Sequence, residues 1–130
     1  MSVHSRDLRE VAVHEAGHVI VARALGATRA QARVTRAGGE YRLRFDGPDV
    51  ADPAGDDAVI KLAGACAAGL IVGRDTGSGS DRAAARRLLR RSSRSLRDAQ
   101  NDAARLVGQH RREIEALAAR IAAAPGRWVA

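Results

Sequence analysis

A chain of 130 residues has material for one modest core and too little for two independent units, so a single domain over 1–130 is expected. Hydrophobic residues make up 45% and aromatics only 2%, which calls for a core of small aliphatic side chains and favours helices. A formal charge of +7 suits acidic partners or nucleic acid, while the absence of a bilayer-length apolar run or of a signal pattern in "MSVHSRDLRE" argues against membrane and secretory proteins and for a cytoplasmic one.

The first predicted element is a helix from near Ser5 to about Leu25. Ser5 and Asp7 suit its N-terminus, and Gly26 supplies a C-terminal stop. Within it lies "HEAGH", with His14 and His18 four residues apart and Glu15 beside the first. In a helix, residues four apart sit about 40° around the axis and about 6 Å along it, so both imidazoles project from one face. Two such nitrogens suit one zinc ion. Glu15, on the adjacent face, can take the proton of a metal-activated water without itself ligating, which is the arrangement of a zinc-dependent peptidase. Gly17 costs about 1 kcal/mol relative to alanine in mid-helix, which implies that another element approaches closely there.

"QARVTRAGGEYRLRFDG" alternates apolar and polar residues on both sides of "AGGE" and predicts a hairpin, with Val34, Tyr41, Leu43 and Phe45 in its strands. Residues 46–57 hold two prolines and five aspartates and read as an exposed loop. "AVIKLAGACAAGLIVG", 58–73, is apolar nearly all round and predicts a buried helix. Its Cys66, the chain's one cysteine, excludes an internal disulfide and a cysteine metal cluster, and reads as a small buried hydrophobe. A glycine- and serine-rich turn, "RDTGSGSD", follows. Helical patterning then runs almost to Pro125, broken at "SSRS" into helices of roughly 81–91 and 95–123.

Catalytic zinc usually takes three protein ligands and keeps one position open. The candidates for the third include Glu40, Asp46, Asp49, Asp52, Asp56, Asp57, Asp75 and Asp81, and spacing does not choose among them. His4 and His110 read as surface or partly satisfied imidazoles. Trp128 suits docking on the domain or anchoring a partner. Arg86, Arg87, Arg90, Arg91, Arg94 and Arg97 form a basic strip that reads as a solvated helix face, with a nucleic-acid surface as the alternative.

"VAVHEAGHVIVA" resembles the zinc helix of the FtsH-type ATP-dependent metalloproteases, peptidase family M41. "LAGACAAGLIVG" followed by "TGSGSDRAAARRLL" is similar to that family's glycine-rich helix and its Thr-Gly-x-x-x-Asp helix entry, and "LVGQHRREIEALAARIAA" resembles its last protease-domain helix. The three matches occur in family order. The resemblance implies His14, His18 and Asp81 as zinc ligands and Glu15 as general base. It implies a mostly α-helical α+β fold, a zinc-peptidase helix with a small β-hairpin and a C-terminal helical bundle.

The function so implied is hydrolysis of peptide bonds in flexible or unfolded polypeptides, with a homo-oligomer or a separate ATPase as partner. The sequence given carries no Walker loop or AAA+ module, so unfolding by this chain itself is not expected. The family's acidic pair falls at Ala68 and Gly69 and its arginine at Ala65. Loss of such charges around a metal site commonly costs 10–100-fold in affinity or activity. A remnant with weak or lost activity is therefore the rival expectation: a non-catalytic M41-like interaction module with a structural metal or a basic nucleic-acid-binding surface.

Overall fold

A computed structural model describes residues 5–46, 50–75 and 79–130, with side chains from Leu8 onward. The side chains of Ser5 and Asp7, together with His4, Asp49, Thr76 and Gly77, lie outside what it describes. The first helix, α1 (Ser5–Ala24), opens on the polar stretch SRDLRE and is buried over residues 12–22, where Ala12, Val13, Ala16, Val19, Ile20, Val21 and Ala22 are all enclosed. Around it are packed a hairpin of β1 (Arg29–Thr35) and β2 (Gly38–Arg44), then α2 (Pro53–Ala67), α3 (Gly79–Leu89), α4 (Leu96–Gln109) and α5 (Arg111–Ala123). The broad class is the expected one, mostly helical with one small antiparallel hairpin.

α1 stops where the sequence says it should. Gly26 has φ +105°, its N–H donates to the Arg23 carbonyl, and the Ala27 N–H reaches back to Ala22. This is the paired closure that a left-handed glycine allows. The close approach expected at Gly17 also holds, and the element is α2: a Cβ there would stand 2.7 Å from the Ala67 Cβ and 2.9 Å from the Ala63 carbonyl oxygen. With Ala16, Ala63 and Ala67 fully buried as well, α1 and α2 meet through hydrogen atoms and methyl groups.

The hairpin departs from expectation in register. Thr35 pairs with Gly38, so the turn is Arg36–Ala37, and both Gly38 and Gly39 belong to β2. Gly39 is needed there because a Cβ would meet the Glu15 Cγ at 2.5 Å and the Val11 Cγ1 at 2.7 Å. Phe45 falls just past the strand, packed against the core. Ala32 exchanges both backbone hydrogen bonds with Val129, at 2.9 and 2.8 Å, and the Gly126 N–H donates to Val34, so the chain's tail braces β1. Trp128 docks on the hairpin's outer face, with the Arg33 and Arg42 guanidinium carbons 4.5 and 4.1 Å from its ring centre.

The stretch 46–57 is not all loop, because α2 starts at Pro53. Asp52 caps it, accepting from the Gly55 N–H at 3.0 Å, and proline suits the first turn, where its missing N–H costs nothing. α2 runs on as a π-helical turn, Ala68–Val72, closed by Gly73 at φ +91°. The predicted 95–123 helix is two: Gln109 ends α4, and His110, at φ −110° and ψ 20°, opens α5. Each half keeps its own apolar stripe, Ala99, Ala103, Leu106 and Val107 on α4, and Ile114, Leu117, Ala118 and Ile121 on α5. Periodicity alone therefore hides the break.

Arg94 also departs from the solvated strip. It is half-buried and joins Asp52, Asp56 and Asp102 at 3.3, 3.1 and 3.4 Å, tying the start of α2 to α4. Arg86, Arg87, Arg90, Arg91 and Arg97 are exposed. Cys66 is half-buried rather than buried. One contiguous apolar cluster draws on α1, β1, α2, α3, α4 and α5. No described helix is long and apolar enough to cross a membrane.

Candidate metal centre

His14 and His18 leave α1 on one face, as their spacing requires, and α3 supplies Asp81 from its first turn. One Asp81 oxygen, Oδ2, lies 3.0 Å from His14 Nε2 and 3.2 Å from His18 Nε2. A ligand atom from each of the three residues lies within 4.8 Å of the others. α2 makes room for this convergence. A Cβ on Gly64 would stand 2.4 Å from His18 Nε2 and 2.7 Å from His14 Nε2, so only glycine leaves the space between the imidazoles free.

The far side of each ring settles its proton. His18 Nδ1 lies 2.6 Å from the Ile60 carbonyl oxygen, which only accepts, so Nδ1 carries hydrogen and donates. His14 Nδ1 donates likewise to Asp75 Oδ1 at 3.1 Å. Neutral rings in this tautomer turn two lone pairs toward an acceptor oxygen of Asp81. That is repulsive unless protons or a cation stand between them. Without a cation, the site has only protons to offer. Burial opposes charge on His14, but the Asp81 hydrogen bond and the charges of Glu15 and Asp81 hold its pKa above the usual histidine value. For Asp81 burial is likewise outweighed, by hydrogen bonds from His14 and His18, and its carboxyl is held far below the usual range.

Glu15 sits one residue round the helix from His14 and is 7% exposed. Its Oε2 is buried and meets no hydrogen-bonding partner among the described residues. Burial pushes its pKa up, against the lowering pull of His18 and His14. A buried carboxylate with a free oxygen and raised proton affinity is suited to taking a proton.

These groups open into a cavity of about 590 Å³. Its walls include every β2 residue from Gly39 to Leu43, without alternation, as expected of a strand that meets a cavity along its edge. Ala32 spends its N–H and C=O on Val129, so its β2 partner Tyr41 directs its own backbone groups away from β1, to an edge with no further strand among the described residues. The Tyr41 ring stacks on His18, centroids 4.1 Å apart and planes 23° apart. Lys61 of α2 lines the same cavity, its Nζ 5.0 Å from the Tyr41 ring centre.

Among the described residues, the other acids weighed as third ligand do not join the His14, His18 and Asp81 group. Glu40 pairs with Arg33, Asp46 with Thr28 and Arg44, and Asp52 and Asp56 with Arg94. Asp57 is exposed at the cavity's wall. Asp75, counted among possible ligands, contacts the back of His14 instead. After Gly73 turns the chain, Arg74 pairs with the buried Glu10 of α1 at 3.0 Å, which brings the next residue to His14. Asp75 and the Ile60 carbonyl thus hold the two imidazoles from behind. Asp75→Asn is expected to weaken zinc affinity about 10–100-fold, as loss of such orienting groups does, measured by competition with a chromophoric chelator. Unchanged affinity would show that Asp75 does not orient His14. His110 lies apart, bonded to Glu113 at 2.9 Å.

Compared with protein-family models and with curated proteins, the chain matches none.

Proposed function

We propose that this chain is a zinc metallopeptidase domain of the M41 type, acting on flexible or unfolded polypeptides. The observation that carries the reading is the pair of His Nε2 atoms converging with Asp81 Oδ2 over the space Gly64 leaves free, both Nδ1 atoms being engaged elsewhere. Two neutral imidazoles and one carboxylate are the donor set of a catalytic zinc site with an open position. His14, His18 and Asp81 would hold the ion. When bound, zinc supplies Lewis acidity, which lowers the pKa of water toward about 7 and polarises a carbonyl.

The protein's own groups do the rest. An extended peptide can lie along the open edge of β2, taking backbone hydrogen bonds from Tyr41 and Gly39. Glu15 Oε2 accepts the proton of the attacking water as its oxygen bonds to the carbonyl carbon and the carbonyl π pair moves to oxygen. The C–N bond then breaks, and Glu15 returns that proton to the leaving amine. Burial of Glu15 serves both directions, since a raised pKa makes it a better acceptor first and a ready donor afterwards. The closeness of Gly39 to Glu15 fixes the carboxylate beside the edge where the peptide would run.

The test is metal removal. Cleavage of unfolded casein should stop after dialysis against 1,10-phenanthroline and return with one equivalent of zinc. Cleavage that persists in metal-free protein, or protein that takes up no stoichiometric zinc, would defeat the proposal. The rival reading, a non-catalytic module with a structural metal, expects zinc uptake with no cleavage. The Glu15 oxygen that meets no hydrogen-bonding partner among the described residues weighs against that reading, because a structural role gives it nothing to bind there.

A further inference from the structure

Of the 22 lysine and arginine residues, a single one, Lys61, is lysine, and Tyr41 is the chain's one tyrosine. These two lie against each other in the cavity that Glu15, His14, His18 and Asp81 also line. A sequence that uses arginine at every other basic position has kept an ammonium at this one. The two groups differ: guanidinium is a broad planar fork, whereas ammonium is a compact point charge that fits beside a ring and a hydroxyl. The placement is also specific along α2. Lys61 precedes Gly64 by three residues, so it stands on the face of α2 that carries the opening between the imidazoles.

We infer that Tyr41 is a further catalytic residue of the proposed peptidase, its hydroxyl donating a hydrogen bond to the carbonyl oxygen as that oxygen becomes an oxyanion, with Lys61 as the positioning residue that holds and polarises the hydroxyl. This inference rests on the metallopeptidase reading and adds to it. Peptide hydrolysis places a full negative charge on the former carbonyl oxygen, and a donor fixed in advance where that charge develops is among the largest contributions to such catalysis. Tyr41 is fixed in advance: its ring is stacked on His18, and β2 holds its backbone. Lys61 stays charged. Burial opposes its charge, but the nearby Tyr41, 5.0 Å from Nζ to ring centre, and the carboxylates of Asp81 and Asp57 more than offset that. Arg42, the other cation at the cavity, is directed elsewhere, donating to Gln31 at 2.8 Å and lying over Trp128. No proton leaves Tyr41 in this role. It donates a hydrogen bond while Glu15 carries the proton.

The experiment compares wild type, Tyr41→Phe and Lys61→Met, which keep the stacked ring and the aliphatic stem. Zinc content and melting temperature are checked first and should be unchanged. Affinity for a phosphoryl-leucyl peptide, whose tetrahedral anionic phosphorus mimics the adduct, is then measured by calorimetry, and kcat and KM are measured on a casein-derived peptide. In both variants the phosphoryl peptide should bind about 100-fold more weakly and kcat should fall about 100-fold, with KM unmoved. Binding equal to wild type, or a rise in KM alone, overturns the role, the latter marking Lys61 as an anchor for an acidic substrate residue. Wild-type protein that does not bind the phosphoryl peptide overturns it as well. Cleavage that both variants sustain overturns this inference and leaves the peptidase reading standing. Binding of the phosphoryl peptide through Tyr41 and Lys61 without any cleavage defeats the peptidase reading and the catalytic role of Tyr41 with it.

Discussion

Glu15→Gln is expected to lower kcat for peptide cleavage by 10³-fold or more while zinc still binds at one equivalent. The amide has nearly the volume of the carboxylate, so the tight packing under Gly39 is preserved. What disappears is the ability to accept a proton from water and return it to the amine. General acid–base groups contribute roughly 10²–10⁴-fold, and here one residue serves in both directions, which places the expected loss in the upper part of that range. Elemental analysis and steady-state kinetics on the same preparation check the prediction. Undiminished cleavage would mean that another group activates water, and the proposed mechanism would fall.

Gly64→Ala should have the larger effect on the metal itself. Alanine is the better helix former by about 1 kcal/mol, so α2 gains intrinsic helical preference from the change. The added methyl, however, would stand 2.4 and 2.7 Å from the two Nε2 atoms. Either ring must turn away to admit it, and both are held from behind, His18 by Ile60 and His14 by Asp75. Zinc affinity is expected to fall by about 100-fold or more, beyond the effect of removing one orienting partner. Circular dichroism should report a folded, helical protein throughout. If Gly64→Ala binds zinc as wild type does, the ion does not sit between those nitrogens.

The local part of this site is written openly in the chain. His14, Glu15 and His18 share one helix, so their geometry follows from spacing, and the cost of Gly17 in mid-helix implies a close approach by another element, which is α2. Asp81 was a different matter. It stands 63 residues from His18, and many acids were formally available until folding engaged most of them with Arg33, Arg44 or Arg94. Residue type and spacing carry no record of which acid is spent elsewhere. Asp75 was missed as an orienting group because that role depends on Gly73 turning the chain back over α1.

The errors of register have physical causes too. "AGGE" looks like a turn because glycine tolerates turns, yet Gly39 is there for the space Glu15 needs. Asp52–Pro53 is a helix start in plain view, an acceptor side chain followed by a residue that needs no N–H, and it was masked by Pro48 and the aspartates before it. The break at His110 left no trace in the apolar pattern, since α4 and α5 each continue it.

The methyl-and-hydrogen contact between α1 and α2 has an outcome for how the site would meet ions of unequal radius. Glycine and alanine in contact have no side-chain torsions to yield, and both rings are held from behind by Ile60 and Asp75, so the two imidazoles and the glycine gap would behave as the fixed jaw of a vice. Asp81 is carried by α3, which buries only Ala85, and is therefore the adjustable jaw. Accommodation of a wider cation would be borne by the carboxylate, with the histidine pair left unmoved.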